Sequence, residues 1–171
     1  LSDEVLALWA RVLEAVPGSR LMLKTAGLQH EAGRAALIAR WPGDAARLDL
    51  QGPGPLADYF AAFNQVDIAL DPFPYSGGMT TLDGLWMGVP VLTLPGPAPI
   101  SRQGLSFLQT LGLAQDWVAS DPDDFVQRAA RLAGDRAGLA ALRAALRERI
   151  VASPLCDAEA FAANWLALVQ A

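Results

Sequence analysis

The sequence is short of the residues on which much enzyme and binding chemistry depends. It carries one cysteine, Cys156, and one histidine, His30, in 171 residues. A lone thiol excludes an intrachain disulfide, and no Cys and His cluster at zinc-ligand spacing surrounds His30. This poverty of cysteine points to a reducing, cytoplasmic setting. Basic residues are scarce too, with 13 Lys and Arg against 18 Asp and Glu and a formal net charge of −5. A surface built for nucleic acid needs excess cations to neutralise phosphates, so that class of partner is excluded. No charge-free apolar run reaches the ~18 residues needed to cross a bilayer, and no basic segment leads into an apolar one as in an export signal. The expectation is a soluble chain without a nucleic-acid or membrane partner. Internal repeats and low-complexity tracts are absent as well.

Hydrophobic residues make up 53% of the chain and charged residues 18%. That balance belongs to a globular domain with a substantial core, and residues 1–171 read as one domain. The first residue is Leu1 rather than Met, and a helical pattern starts at once, as expected of a piece of a longer protein.

Ser2 ahead of Asp3 and Glu4 is a helix start: a hydroxyl cap followed by acids that the helix dipole favours. Leu6, Trp9, Val12, Leu13 and Val16 continue it at helical spacing until Pro17-Gly18. Leu21-Met22-Leu23 reads as a short buried strand, residues 31–41 as a helix and Leu48-Asp49-Leu50 as a second strand. After the Gly52-Pro53-Gly54-Pro55 turn, Tyr59, Phe60 and Phe63 fall on a short helix. Val66-Asp67-Ile68-Ala69-Leu70 makes a third strand and Val91-Leu92-Thr93-Leu94 a fourth. A helix over about 100–111 then leads to a short Trp117-Val118 strand. Strands alternating with helices at this spacing predict an α/β fold, a Rossmann-like doubly wound parallel sheet. From Asp121 onward the pattern is helical only, over about 125–132, 139–150 and 158–169, with Asp121 and Asp157 as caps. This tail, residues 121–171, is expected to pack back over the sheet. Its Arg143, Arg147 and Arg149 read as a solvated helix face.

The segment PYSGGMTTLDGLWMGVP, residues 74–90, holds the most chemistry. It follows the third strand, where loops of open α/β sheets enter helices whose first N–H groups can bind anions. On a functional reading Gly77 and Gly78 let the backbone approach a phosphate. Thr80 and Thr81 then donate to it, and Asp83 accepts from a ribose hydroxyl. On a purely structural reading Thr80 and Asp83 form a capping box, while Leu82, Leu85, Trp86 and Val89 make a buried stripe. Both readings stand on the residues alone.

The run DIALDPFPYSGGMTTLDGLWMGVPVLTLPG resembles the O-GlcNAc transferase and SPINDLY-like family, glycosyltransferase family 41. LWARVLEAVPGSRLMLKTAGL before it, and SRQGLSFLQTLGL and RERIVASPLCDAEAF after it, extend the resemblance along nearly the whole chain. It implies the C-terminal half of the catalytic region, one of two Rossmann-like domains of a GT-B fold. In that family this half binds most of the nucleotide-sugar donor. Members usually follow tetratricopeptide repeats and move a sugar from a nucleotide to Ser or Thr of proteins without a metal. The implied function is the donor-binding half of a protein O-glycosyltransferase, taking N-acetylglucosamine or a related sugar from a UDP-sugar. The implied partners are that donor, an acceptor protein, and an N-terminal half and repeats that these residues do not include.

Counted from Leu70-Asp71, the family's donor-phosphate segment falls on Gly77, Gly78, Met79 and Thr80, with Thr81 beside them. The family's histidine is replaced here by Gly78 and one of its threonines by Met79. Asp83 matches the ribose acid. Tyr59 and Gly54 fall at base-binding positions, and Leu56 takes the place of a base-contacting lysine. The family's phosphate-binding lysine precedes the segment that starts at Leu1. Lys24 is then the candidate supporting cation, or a surface lysine at a strand end. Arg102 matches the family's S-R segment, either as support for the donor loop or as an exposed helix-start residue. No catalytic residue and no metal site is assigned within the 171 residues. A degenerate, non-catalytic nucleotide-binding or scaffolding module is the alternative. His30 reads as an exposed or cap-proximal histidine, and Cys156 as a buried inert thiol.

Overall fold

In the computed structural model, which describes residues 1–170, Ser2 caps helix α1 (Asp3–Ala15) as its hydroxyl oxygen accepts the Val5 N–H at 3.3 Å. α1 buries Val5, Leu6, Trp9, Val12 and Leu13, the residues spaced for one face. Gly18, at φ +79°, turns the chain into β1 (Leu21–Lys24). Then follow α2 (Glu31–Arg40), β2 (Leu48–Gln51), α3 (Leu56–Ala62), β3 (Ala69–Leu70) and α4 (Met79–Trp86). β4 (Val91–Leu92), α5 (Gln103–Thr110) and the single-turn α6 (Ala114–Trp117) complete the α/β part. Every pairing among the described strands is parallel: Leu21 lies opposite Leu48, Ala69 opposite Val91, and Thr93 bridges Val118. Parallel neighbours need a crossover, which α2 supplies between β1 and β2 and α4 between β3 and β4.

The hydrogen-bonded ladders are narrower than the sequence pattern implies. They form two pairs, β1 with β2 and β3 with β4. The third strand shrinks from five residues of pattern to Ala69–Leu70. Arg143 supplies the reason, because its guanidinium takes the Val66 and Asp67 carbonyl oxygens that a ladder would otherwise use. Trp117 belongs to α6, and Val118 alone reaches the strand edge.

In the tail, α7 (Pro122–Gly134), α8 (Arg136–Val151) and α9 (Ala158–Val169) form as the pattern predicts. Asp121 accepts the Asp123 and Asp124 N–H groups, both at 2.9 Å, and Asp157 accepts the Ala160 N–H at 2.8 Å. α7 packs on α1 and α8 on α4, with Phe125, Leu146 and Ile150 buried. Arg147 also leaves the solvated face expected of it: its Nε donates to the Trp86 carbonyl oxygen at 3.0 Å. Of Arg143, Arg147 and Arg149 only Arg149 is free of such a bond among the described residues, and it is exposed. α9 buries none of its residues, so the tail packs back through α7 and α8.

Candidate functional site

β3 ends in an acid. Asp71 follows Leu70 at the carboxyl end of the strand and is 97% shielded from solvent, with 3% of its surface exposed. One carboxylate oxygen accepts the Gly77 N–H at 2.7 Å and the other accepts the Thr93 hydroxyl at 2.7 Å. Burial pushes the Asp71 carboxyl above its ordinary range, while the Gly77 and Thr93 bonds pull the other way. Ser76 is buried beside it, donating to the Ile100 carbonyl oxygen at 2.8 Å and accepting the Gln103 N–H at 3.3 Å. The glycine turn is thereby tied to the strand ends and to the loop after β4. Sequence reasoning passed over Asp71 as a strand terminus. The available signal was an acid closing an apolar run six residues before a Gly pair's first N–H.

The turn delivers the chain into α4 with Gly78 as the cap residue, and no side chain caps the helix. The expected Thr80 to Asp83 capping box is absent. Asp83 instead accepts the Tyr59 hydroxyl at 2.8 Å, because α3 brings the phenol within reach. Thr81 N–H and Leu82 N–H both go to the Gly78 carbonyl oxygen at 3.1 Å. The N–H groups of Gly78, Met79 and Thr80 meet no acceptor among the described residues. Three successive free donors at a helix start are groups of the kind that can receive an anion, which the helix dipole also favours. A side chain on Gly77 would overlap the Thr81 hydroxyl and approach Asp71 to 3.3 Å, so the turn is closed to any larger residue there. Thr80 and Met79 are exposed and Thr81 is buried, so Thr80 carries the accessible hydroxyl.

The stripe on the far side of α4 also differs from expectation. Leu85 and Val89 are fully buried, whereas Trp86 is 40% exposed. Its ring lies under the Arg147 guanidinium, 5.1 Å from the ring centre, a cation–π contact that covers the indole from outside.

Lys24, Thr25, Pro53, Gly54, Leu56 and Tyr59 line an open cleft of about 380 Å³. Lys24 Nζ donates to the Gln51 side chain at 3.3 Å and to the Gly52 carbonyl oxygen at 3.2 Å, which fixes the loop leading to Gly54. The Tyr59 ring stands edge-on to Phe60 and Phe63, with centroids 5.1 and 5.3 Å away. The residues proposed for base and ribose thus adjoin through the Tyr59–Asp83 bond. Arg102 is exposed and donates to the Gly96 carbonyl oxygen at 3.1 Å, bracing the loop after β4.

Tyr59 is held protonated up to about 12, first by burial and then by the bond to Asp83 and its negative charge. The folded phenol keeps its proton above the ordinary value of 10.0, so between about 10 and about 12 the folded state binds more protons than the unfolded. Stability therefore falls as pH rises through that window. A spectrophotometric titration is expected to show one phenol ionising near the upper limit, and Asp83→Ala to bring that step down.

Other reactive side chains lie elsewhere. His30 occupies the cap position of α2, is exposed, and pairs its ring with Gln29 at 3.1 Å. Cys156 is exposed rather than buried, because the turn before α9 packs against the core through the neighbouring Leu155. It lines a second opening of about 550 Å³ between α8 and α9, with no residue of the glycine turn in its lining. No group of three or more His, Cys, Asp or Glu that could hold a metal occurs among the described residues.

Parallel strands, crossover helices and an uncapped helix start beyond the strands' carboxyl ends define a Rossmann-like α/β domain with an anion-receptive turn. Comparison with known proteins narrows the class. The Glycosyl transferase family 41 model matches residues 1–165, and the chain belongs to that family. It is 38% identical to a tomato (Solanum lycopersicum) protein named probable UDP-N-acetylglucosamine–peptide N-acetylglucosaminyltransferase SPINDLY, over 96% of this chain and 18% of that one. It is 28% identical to the Caenorhabditis elegans UDP-N-acetylglucosamine–peptide N-acetylglucosaminyltransferase, over 94% of this chain and 14% of that one. A solved structure of a Thermobaculum terrenum O-GlcNAc transferase mutant superposes with a TM-score of 0.83 at 39% identity, covering 88% of this chain and 29% of that one. The chain spans less than a fifth of the length of the curated relatives it matches.

Proposed function

We propose that residues 1–171 form one donor-binding domain of a protein O-glycosyltransferase, with 121–171 as its helical tail. The donor is a UDP-linked sugar, N-acetylglucosamine by the names of the relatives. One observation carries this reading: the free N–H groups of Gly78, Met79 and Thr80 sit one helical turn from the Asp83–Tyr59 pair. Diphosphate, ribose and base then have successive places, at the turn, at Asp83, and in the cleft of Tyr59 and Gly54. Lys24 and Arg102 hold the loops on either side.

During transfer the sugar's anomeric carbon leaves the diphosphate, whose negative charge grows. Fixed N–H donors and the Thr80 hydroxyl stabilise that charge with no reorganisation, and this chemistry calls for no metal. The acceptor Ser or Thr and its positioning come from the acceptor protein and the N-terminal half of the catalytic region, with tetratricopeptide repeats preceding it. A cytoplasmic setting completes the proposal.

Calorimetric titration of UDP into the chain is expected to give saturable binding that a chelator leaves unchanged. Thr80→Ala and Asp83→Ala are each expected to weaken it about tenfold, the worth of one hydrogen bond to a charged or fully paired group. Absence of binding at millimolar UDP would overturn the reading in favour of a scaffolding role.

A further inference from the structure

The turn that presents the free N–H groups is tied through Ser76 to the loop after β4, and through Gly77 to the Asp71 carboxylate at the strand end. Asp71 N–H donates to the Leu92 carbonyl oxygen at 2.9 Å, which anchors its backbone in the ladder. Its side chain then spans from Thr93, itself fully buried, to the N–H of Gly77. Thr93 is fixed in turn by its N–H to the Trp117 carbonyl oxygen at 3.1 Å and by the Ala119 N–H on its own carbonyl oxygen at 2.9 Å. Gly104 closes the remaining side. A Cβ there would come within 2.5 Å of one Asp71 oxygen and 2.9 Å of the Thr93 hydroxyl. The carboxylate therefore has no alternative seat, and the Gly77 N–H has one acceptor.

We propose that Asp71 is the positioning residue of the donor-phosphate turn, setting the place of the Gly78, Met79 and Thr80 N–H groups through Gly77. The inference rests on the donor-site reading above and deepens it. Asp71 touches no ligand atom in this role. It fixes Gly77, and the next three N–H groups follow along the chain. Its effect falls on the diphosphate part of the ligand and spares the nucleoside part, which Tyr59, Gly54 and Asp83 hold. A merely structural role would weaken both parts alike or neither.

The test compares UDP with uridine on the full chain by calorimetry, with thermal unfolding as a check on folding. The wild-type chain is expected to favour UDP over uridine. Asp71→Ala is expected to reduce that ratio about tenfold while leaving uridine affinity within about twofold. Asp71→Asn keeps an oxygen for Gly77 and is expected to retain the ratio, since the Thr93 hydroxyl can accept instead of donate. If Asp71→Ala does not fold, Thr93→Val and Gly104→Ala serve, the first removing the far support and the second displacing the carboxylate. Both are expected to lower the ratio, and Thr93→Ser to preserve it. A ratio unchanged in Asp71→Ala, or in Thr93→Val and Gly104→Ala where that variant does not fold, overturns the inference while leaving the donor site standing. A wild-type chain that binds UDP no tighter than uridine overturns both.

Discussion

Phe125→Ala is expected to cost about 3–5 kcal/mol of folding stability, the usual range for truncating a fully buried phenylalanine. The ring is 0% exposed and sits on α7, the tail helix that packs against α1. It belongs to one buried cluster with residues of α1, β1, β4 and α5, so its loss opens a cavity in a close-packed core that several elements share. The exposed Arg11–Asp123 pair between α1 and α7 offers little compensation, because surface ion pairs contribute ~0–1 kcal/mol. Urea unfolding followed by circular dichroism and tryptophan fluorescence checks this. One shared transition moved to lower urea is expected, since the tail and the parallel strands share a core. Two transitions, with only one displaced, would show that 121–171 is a separate unit.

Gly77→Ala is expected to weaken UDP binding about a hundredfold, the worth of one or two hydrogen bonds to a charged group. The added carbon overlaps the buried Thr81 hydroxyl and crowds Thr80 and Asp71. The exposed Thr80 hydroxyl can swing aside, but the other two cannot retreat: Thr81 is buried inside the helix start and Asp71 is pinned by Thr93. The turn itself must move, and the free N–H groups move with it. Gly134→Ala on α7 serves as the control, because nothing lies within 4 Å of the Cβ it would add. Comparable losses in both variants would show that the Gly77 contact is not what places the donors.

These two sites differ in how far they can be read from the chain. Phe125 lies at helical spacing behind the Asp121 cap, and the cap itself depends on N–H groups two and three residues away. Such short-range signals also mark α1, α2, β1 and β2, whose bounds follow the pattern within a residue or so. The Gly77-Gly78 turn and the helix after it were legible for the same reason. The capping box was not, because Thr80 and Asp83 have the right spacing whether or not a third group competes. Tyr59, 24 residues earlier, takes the carboxylate.

The order of elements, the parallel α/β class and the place of the glycine turn are properties of local pattern: side-chain periodicity, caps and backbone freedom within a few residues. Which partner each polar group finds is settled by packing of segments far apart in the chain. Asp71 meets Thr93 across 22 residues, and Arg143 reaches the Val66 carbonyl across 77. The same packing leaves Trp86 under Arg147 on the surface and Cys156 exposed, where residue type alone favours burial. A buried hydrogen bond is chosen by which groups the folded chain brings within 3 Å or so, and no spacing along the sequence encodes that distance.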